Sequence, residues 1–388
     1  MGSNELILAV DIGTSATKAV LCDMDARPTA VFRQSNPILL PQSGWSEQEP
    51  QEVFASVSQA IREAAAAVPV GSKLLALSLS SQIYSVLAVD SSGNPLTNSL
   101  TWFDTRSAKD AGWLRGYPAA KDIHLRTCNP LDAIYPLAKI HWLKRNLGLP
   151  PGPRCISIKE YVLWRLIDRY VVDWSSASSS GYFDVKHLDW DRSALTMLGI
   201  SSQSLSEPVS PRMIFTQWRN GIPESLGIPA DLPLVIGGGD GPLASLGVGA
   251  HRPKTLAVNV GTSAAARTVM KTPRCDPDGK LWTFVVDEGL WVSGGVVSSG
   301  GYLFEWFLNN FFADLDGKLD ARRRQEAYDA ASSLAGSVPP GAEGLNFIPY
   351  LGGEQSPGWD PNTRGVFEGL DFSHGRAHFA RAVLEGIT

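Results

Sequence analysis

The chain is poor in features that would direct it outside the cell. Four cysteines, Cys22, Cys128, Cys155 and Cys275, are spread over 388 residues with no CxxC among them. This predicts free thiols in a reducing compartment. No Asn-X-Ser/Thr acceptor occurs anywhere. The amino terminus lacks a basic flank followed by an apolar run, so it does not read as a secretory signal. Met1-Gly2 is followed by Leu6 where a myristoylation start needs Ser or Thr. No apolar segment is long enough to span a bilayer. Lys and Arg are scattered and the formal net charge is -5, which argues against a nucleic-acid footprint. GxxxxGK[ST] is also missing, so a Walker-type phosphate loop is not implied. Together these absences predict a cytoplasmic protein.

What remains is an ordinary globular balance, 44% hydrophobic and 19% charged. The length predicts two domains. A boundary near residue 250 divides the chain into 1–250 and 251–388, because one pattern occurs on both sides of it. ILAVDIGTSATKAVLCD, residues 7–23, returns as LAVNVGTSAAARTVM, residues 256–270. Each copy reads as a strand, a Gly-Thr-Ser turn and a second strand. A third strand, Thr29 to Gln34, completes the first meander. Leu74 to Leu79 and Pro233 to Asp240 read as buried strands. Apolar residues at Val53, Val57, Ile61, Ala64 and Val68 recur at helical spacing. Tyr135 to Asn146, Lys159 to Ile167 and Pro242 to Val248 also read as helices. The duplication is at domain scale.

A Gly-Thr-Ser hairpin offers backbone N–H groups and hydroxyls at one tip, a nest suited to phosphate oxygens. The plainer reading is a simple turn, since Gly and Ser are common turn formers. Recurrence of the turn favours function, with two tips facing across a cleft and holding a polyphosphate. On this reading Gly13, Thr14 and Ser15 bind phosphate on one side, and Gly261, Thr262 and Ser263 on the other. Asp11 precedes the first turn and suits Mg2+ held largely through waters. Asn259 is its neutral counterpart, which avoids a second carboxylate repelling the phosphates. Lys18 can neutralise a transferring phosphoryl group, or can be a surface lysine. Asp240 follows three glycines at a strand end. It suits a general base for a substrate hydroxyl and a second metal contact, or else an N-cap for the next helix.

These segments together resemble the FGGY carbohydrate kinases of the actin-like, sugar-kinase and Hsp70 superfamily. GWSEQEP (44–50), LSLSSQIYSV (77–86), TWFDTRS (101–107), VIGGGDGPLASLGVGA (235–250) and GGEQSPGWDPNTRGVFEGL (352–370) carry the likeness along the whole chain. Within the family, CISIKEY (155–161), the stretch from Tyr170 to Asp191 and VSGGVVSSGG (292–301) are most like the gluconate kinases. The resemblance implies two actin-like (ribonuclease H-like) α/β domains. It implies ATP-dependent phosphorylation of a primary hydroxyl, with ATP and Mg2+ as cofactors and Asp240 as base. It further implies a sugar wall of Trp45, Gln82, Ile83, Tyr84, Trp102 and Asp104, with Gly300 and Gly301 at the nucleotide. For Trp45 and Trp102 the competing reading is packing.

Two departures bear on the substrate. Ile83-Tyr84 stands where related kinases have Met-His, and Asp132-Ala-Ile-Tyr-Pro136 where gluconate kinases have a His-Pro-Met-like segment. A ketose or polyol acceptor therefore stands beside gluconate, as does a sugar-binding remnant without catalysis. An actin- or Hsp70-like ATPase is disfavoured by the residues resembling a sugar wall. The second domain is expected to be short of the family's full plan, leaving apolar faces for further chain or a homodimer to cover.

Overall fold

The structure is a computed structural model. It describes residues 5–148, 152–252, 254–261, 263–297, 300–312, 321–360 and 362–388. The chain divides into two compact units: 1–255 with 268–293, and 256–267 with 294–388. The segment 268–293 thus returns to the first unit after the second has begun.

The first unit is built on a six-stranded sheet. Its spatial order is Ile214–Phe215, Leu234–Gly239, Lys73–Ser81, Glu5–Ile12, Ala16–Cys22, Pro28–Ser35. The last three are the predicted antiparallel meander. Leu234–Gly239, Lys73–Ser81 and Glu5–Ile12 run parallel. Alternation along the first strand explains its seating: Leu6, Leu8, Val10 and Ile12 are buried on one face. Asp11 is therefore on the opposite face.

Helix Pro50–Ala66 packs against the meander and buries Val53, Val57, Ala60, Ile61 and Ala64. Its start follows from sequence. Pro50 is preset for the first turn, and the Glu49 carboxylate accepts the N–H groups of Gln51 and Glu52. Helix Ile158–Ile167 starts with a reciprocal cap between Ser157 and Glu160 and fills the same core.

The second unit has its own core. Helices Gly301–Phe311, Ala321–Gly336 and Arg376–Ile387 gather around Phe304, Phe307, Phe347, Ala380 and Val383. The second copy of the turn joins strands Leu256–Val260 and Ala264–Met270, and the latter crosses the boundary between the units. None of the described helices is long and apolar enough to cross a membrane.

Candidate functional site

Register places the key residues of the first unit. Ile12 pairs with Ser81, and Ser81 pairs with Gly239. Three parallel strands therefore end level, and the next residues along the chain are Gly13, Gln82 and Asp240. The carboxyl edge of parallel strands is where open α/β sheets bind ligands. At one strand spacing of about 4.8 Å, Gly13 and Asp240 stand about 10 Å apart along this edge.

The first turn is tightly specified. Gly13 N–H donates to Ala16 O at 3.1 Å, and a Cβ on Gly13 would lie 2.8 Å from that oxygen. Buried Asn36 braces the turn by donating to Gly13 O at 2.7 Å, while its own N–H donates to Ser15 O. Among the described residues, no protein acceptor meets the N–H groups of Thr14 and Ser15. That leaves two adjacent donors at the tip, as a phosphate nest requires.

The Thr14 hydroxyl has a different task. It donates to Gln82 Oε1 at 2.9 Å and accepts from Trp102 Nε1 at 3.0 Å. Gln82 donates to Gln48 Oε1, and Gln48 donates back to Thr14 O. This ring of hydrogen bonds joins the turn expected at phosphate to two residues expected at the sugar. Asp11 and Lys18 are cross-strand partners, with Nζ 3.8 Å from the carboxylate and both side chains partly exposed. Lys18 thus begins as the partner of Asp11.

Asp240 opens helix Asp240–Gly247, two residues before the predicted start. The N-cap is Gly239 and not Asp240, which corrects the capping alternative. The Asp240 carboxylate is exposed and accepts from Gly241 N at 2.6 Å. The glycines before it serve packing. Gly237 has φ +66°, and a Cβ there would fall 1.8 Å from Leu79 O; one on Gly239 would fall 2.5 Å from Ile83 Cγ2. Bare backbone lets the Asp240 strand close on its neighbour and on the Gln82–Tyr84 loop.

The expected sugar wall is partly a buried brace. Asp104 has no exposed side-chain surface, and its oxygens accept from Ser46 N and from Arg106 N, Nε and Nη2. Arg106 also reaches Glu47 Oε1 at 2.7 Å and lies 3.6 Å over the Trp45 ring, which meets Trp142 edge-on. One face of Trp45 is therefore covered by protein. Trp102 is half-buried and stacks on exposed Phe103 at 3.6 Å. Tyr84 sits at φ +68°, a conformation that costs a side-chain-bearing residue energy, and packs edge-on against Tyr135 and Phe284.

Lys139 holds that strained loop, and sequence reasoning did not single it out. It is fully buried, and its ammonium donates to Tyr84 O at 2.9 Å and Thr101 O at 2.8 Å. Burial pushes it down to about 7, against the pull of Asp104 and Asp132. The visible signal was one lysine inside Leu137-Ala138-Lys139-Ile140, in helix Pro136–Asn146. Arg106 and Phe284 were likewise not singled out.

In the second unit Gly301 N–H donates to Gly261 O at 2.6 Å, and Gly261 N–H donates to Ser263 O at 2.8 Å. A Cβ on Gly300 would lie 2.5 Å from Gly261 O. The second turn is thus packed against the amino terminus of helix Gly301–Phe311, whose N-cap is Gly300. Helix amino termini favour anions. Thr262 lies outside the described residues.

Comparison with known proteins gives a consistent result. The model of the FGGY family of carbohydrate kinases matches with its N-terminal domain at residues 6–247 and its C-terminal domain at 256–388. The gluconokinase of Bacillus subtilis (strain 168) is 36% identical over 383 residues, covering 98% of this chain and 74% of that protein. The crystal structure of gluconate kinase from Lactobacillus acidophilus superposes with a TM-score of 0.91 at 32% identity, covering 99% of this chain and 76% of that one. A ligand-bound xylulose kinase from Lactobacillus acidophilus gives 0.90 at 32% identity, with the same coverage.

Proposed function

The chain belongs to the FGGY family of carbohydrate kinases, phosphotransferases with an alcohol acceptor, and we propose that it phosphorylates a primary hydroxyl of gluconate or a close sugar acid. ATP is the phosphoryl donor. The observation that carries the proposal is the level ending of three parallel strands at Gly13, Gln82 and Asp240. It brings the first Gly-Thr-Ser turn, the Gln82 amide and the exposed Asp240 carboxylate to one edge, which supports the reading.

In this reading Asp240 accepts the proton of the attacking hydroxyl, as a carboxylate base does in phosphoryl transfer. The N–H groups of Thr14 and Ser15 bind phosphate oxygens, and Thr14 links that turn to Gln82 and Trp102 so that both substrates meet one connected structure. Gln82, Ile83, Tyr84 and Trp102 face the sugar. Trp45 and Asp104 act behind them, through Arg106. In the second unit the turn at Gly261–Ser263, with Gly300 and Gly301, binds phosphate as well. Lys18 exchanges its contact with Asp11 for the transferring phosphoryl group.

Mg2+ fits the residues present. Among the described residues no three His, Cys, Asp or Glu side chains gather to cage a metal, whereas Asp11 and Asp240 are both accessible carboxylates. Mg2+ takes one or two carboxylates and keeps waters and phosphate oxygens. When bound it would neutralise phosphate charge.

A coupled ADP-release assay with gluconate, xylulose, ribulose and glycerol tests the assignment. Gluconate is expected to give the highest kcat/KM. Highest kcat/KM for xylulose or glycerol would move the acceptor to ketoses or polyols. Binding of ATP without sugar-dependent ADP release for any of them would overturn the kinase reading.

A further inference from the structure

Helix Ala120–Thr127 ends at Cys128, whose φ of +53° turns the chain out of the helix. Within the same unit, the loop ahead of strand Trp282–Asp287 brings Cys275 back against this helix end. Its sulfur lies 3.6 Å from His124 Nε2 and 3.3 Å from His124 O, the carbonyl that also accepts from Cys128 N–H at 2.7 Å, and it packs against the same cluster that buries Cys128. His124 Nδ1 faces Asn129 O at 2.8 Å, and Nε2 faces Asp276 O at 2.7 Å.

A neutral imidazole has one N–H and can satisfy only one of those two carbonyls, whereas the imidazolium satisfies both. The ring is largely buried, and a buried cation calls for an anion nearby. The Cys275 sulfur is placed to supply it. Burial pushes His124 down, but Cys275 and the two carbonyls outweigh it and bring the ring up to about 9. Neighbouring Cys128 and His124 draw the Cys275 thiol down to about 6, and the nearness of Cys275, with burial, holds Cys128 well above its ordinary value. Access divides the pair further: Cys275 is partly exposed, and Cys128 is 2% exposed. Low-lying, accessible thiolates beside a second thiol are the ones that oxidants select.

We propose that Cys275 and Cys128 form a peroxide-sensitive dithiol, in which Cys275 reacts first and Cys128 resolves it. The Cys275 thiolate attacks hydrogen peroxide. A sulfur–oxygen bond forms as the oxygen–oxygen bond breaks, so sulfur is oxidised and peroxide reduced. The proton on His124 Nε2 converts the departing hydroxide to water. The Cys128 sulfur then attacks the Cys275 sulfenic acid. A sulfur–sulfur bond forms, the sulfur–oxygen bond breaks, and the hydroxyl leaves as water with the Cys128 proton. Two thiols and one peroxide become one disulfide and two waters. The link ties the end of helix Ala120–Thr127 to the loop at Cys275, beside Thr283, whose N–H donates to Cys128 O.

The test treats the full chain with hydrogen peroxide, counts thiols and maps peptides by mass. Titratable thiols are expected to fall from four to two. A linked Cys128–Cys275 peptide pair should appear, lighter by two hydrogens, and dithiothreitol should reverse it. Cys128→Ser should accumulate a dimedone-trapped sulfenic acid at Cys275, and Cys275→Ser should abolish the reaction at the same dose. The wild-type peptide map decides the question even where a variant fails to fold. Oxidation of Cys22 ahead of Cys275, or loss of the Cys275 thiol with no link to Cys128, overturns the proposal.

Discussion

Replacing Asp104 by asparagine keeps the side-chain volume and removes the charge. In the wild type the carboxylate accepts from Ser46 N at 2.8 Å, Arg106 N at 3.1 Å and Arg106 Nη2 at 2.6 Å, with no exposed surface of its own. The Arg106 side chain is 3% exposed. Asparagine offers one acceptor oxygen, and its NH2 would confront the guanidinium donors. Breaking a buried ion pair from one side costs about 3 kcal/mol or more, because the remaining charge stays buried. Glu47 still holds Arg106, which keeps the expected loss near about 3 kcal/mol. With an m-value of ~2 kcal/mol/M, the urea midpoint of the first unit falls by about 1 to 2 M. Tryptophan fluorescence reads this directly, since Arg106 lies on Trp45. A variant with the wild-type midpoint and a raised sugar KM would refute the reasoning and return Asp104 to the sugar.

Lys139→Met addresses pH dependence. Burial lowers the lysine from 10.5 to about 7. Between those values the unfolded chain binds a proton that the folded chain has released, so stability at this site rises with pH through that window. The wild type should therefore gain stability relative to Lys139→Met from pH 7 towards pH 10.5, read as a rise of its urea midpoint relative to that of the variant; a difference independent of pH would contradict it. Gly300→Ala places a Cβ 2.5 Å from Gly261 O and displaces the second turn from its helix. The KM for ATP should rise about tenfold or more while the sugar KM holds; an unchanged ATP KM would remove this turn from the phosphate site.

The meander was legible because Leu6, Leu8, Val10 and Ile12 alternate, and period two is a local property of sequence. Recurrence of Gly-Thr-Ser exposed the duplicated turn for the same reason. The tasks of individual side chains were less legible, because partners far along the chain decide them. Lys139 looks like any helical lysine until Tyr84 O and Thr101 O arrive from other segments. Arg106 stands two residues from Asp104, but nothing local announces that Ser46, 58 positions away, will share its oxygens. The three glycines before Asp240 are plain in the sequence, but that Leu79 and Ile83 are what close against them is not. The return of 268–293 to the first unit is likewise a long-range matter, with Phe284 meeting Tyr84 across two hundred residues of chain.

The central claim is tested most directly by turnover of Asp240→Asn in the coupled ADP-release assay. Loss of a general base should lower kcat by about 10²–10⁴-fold, with sugar and ATP binding retained by calorimetry. Turnover within a few-fold of the wild type would contradict the account, because no proton acceptor would then be needed at the end of the third parallel strand.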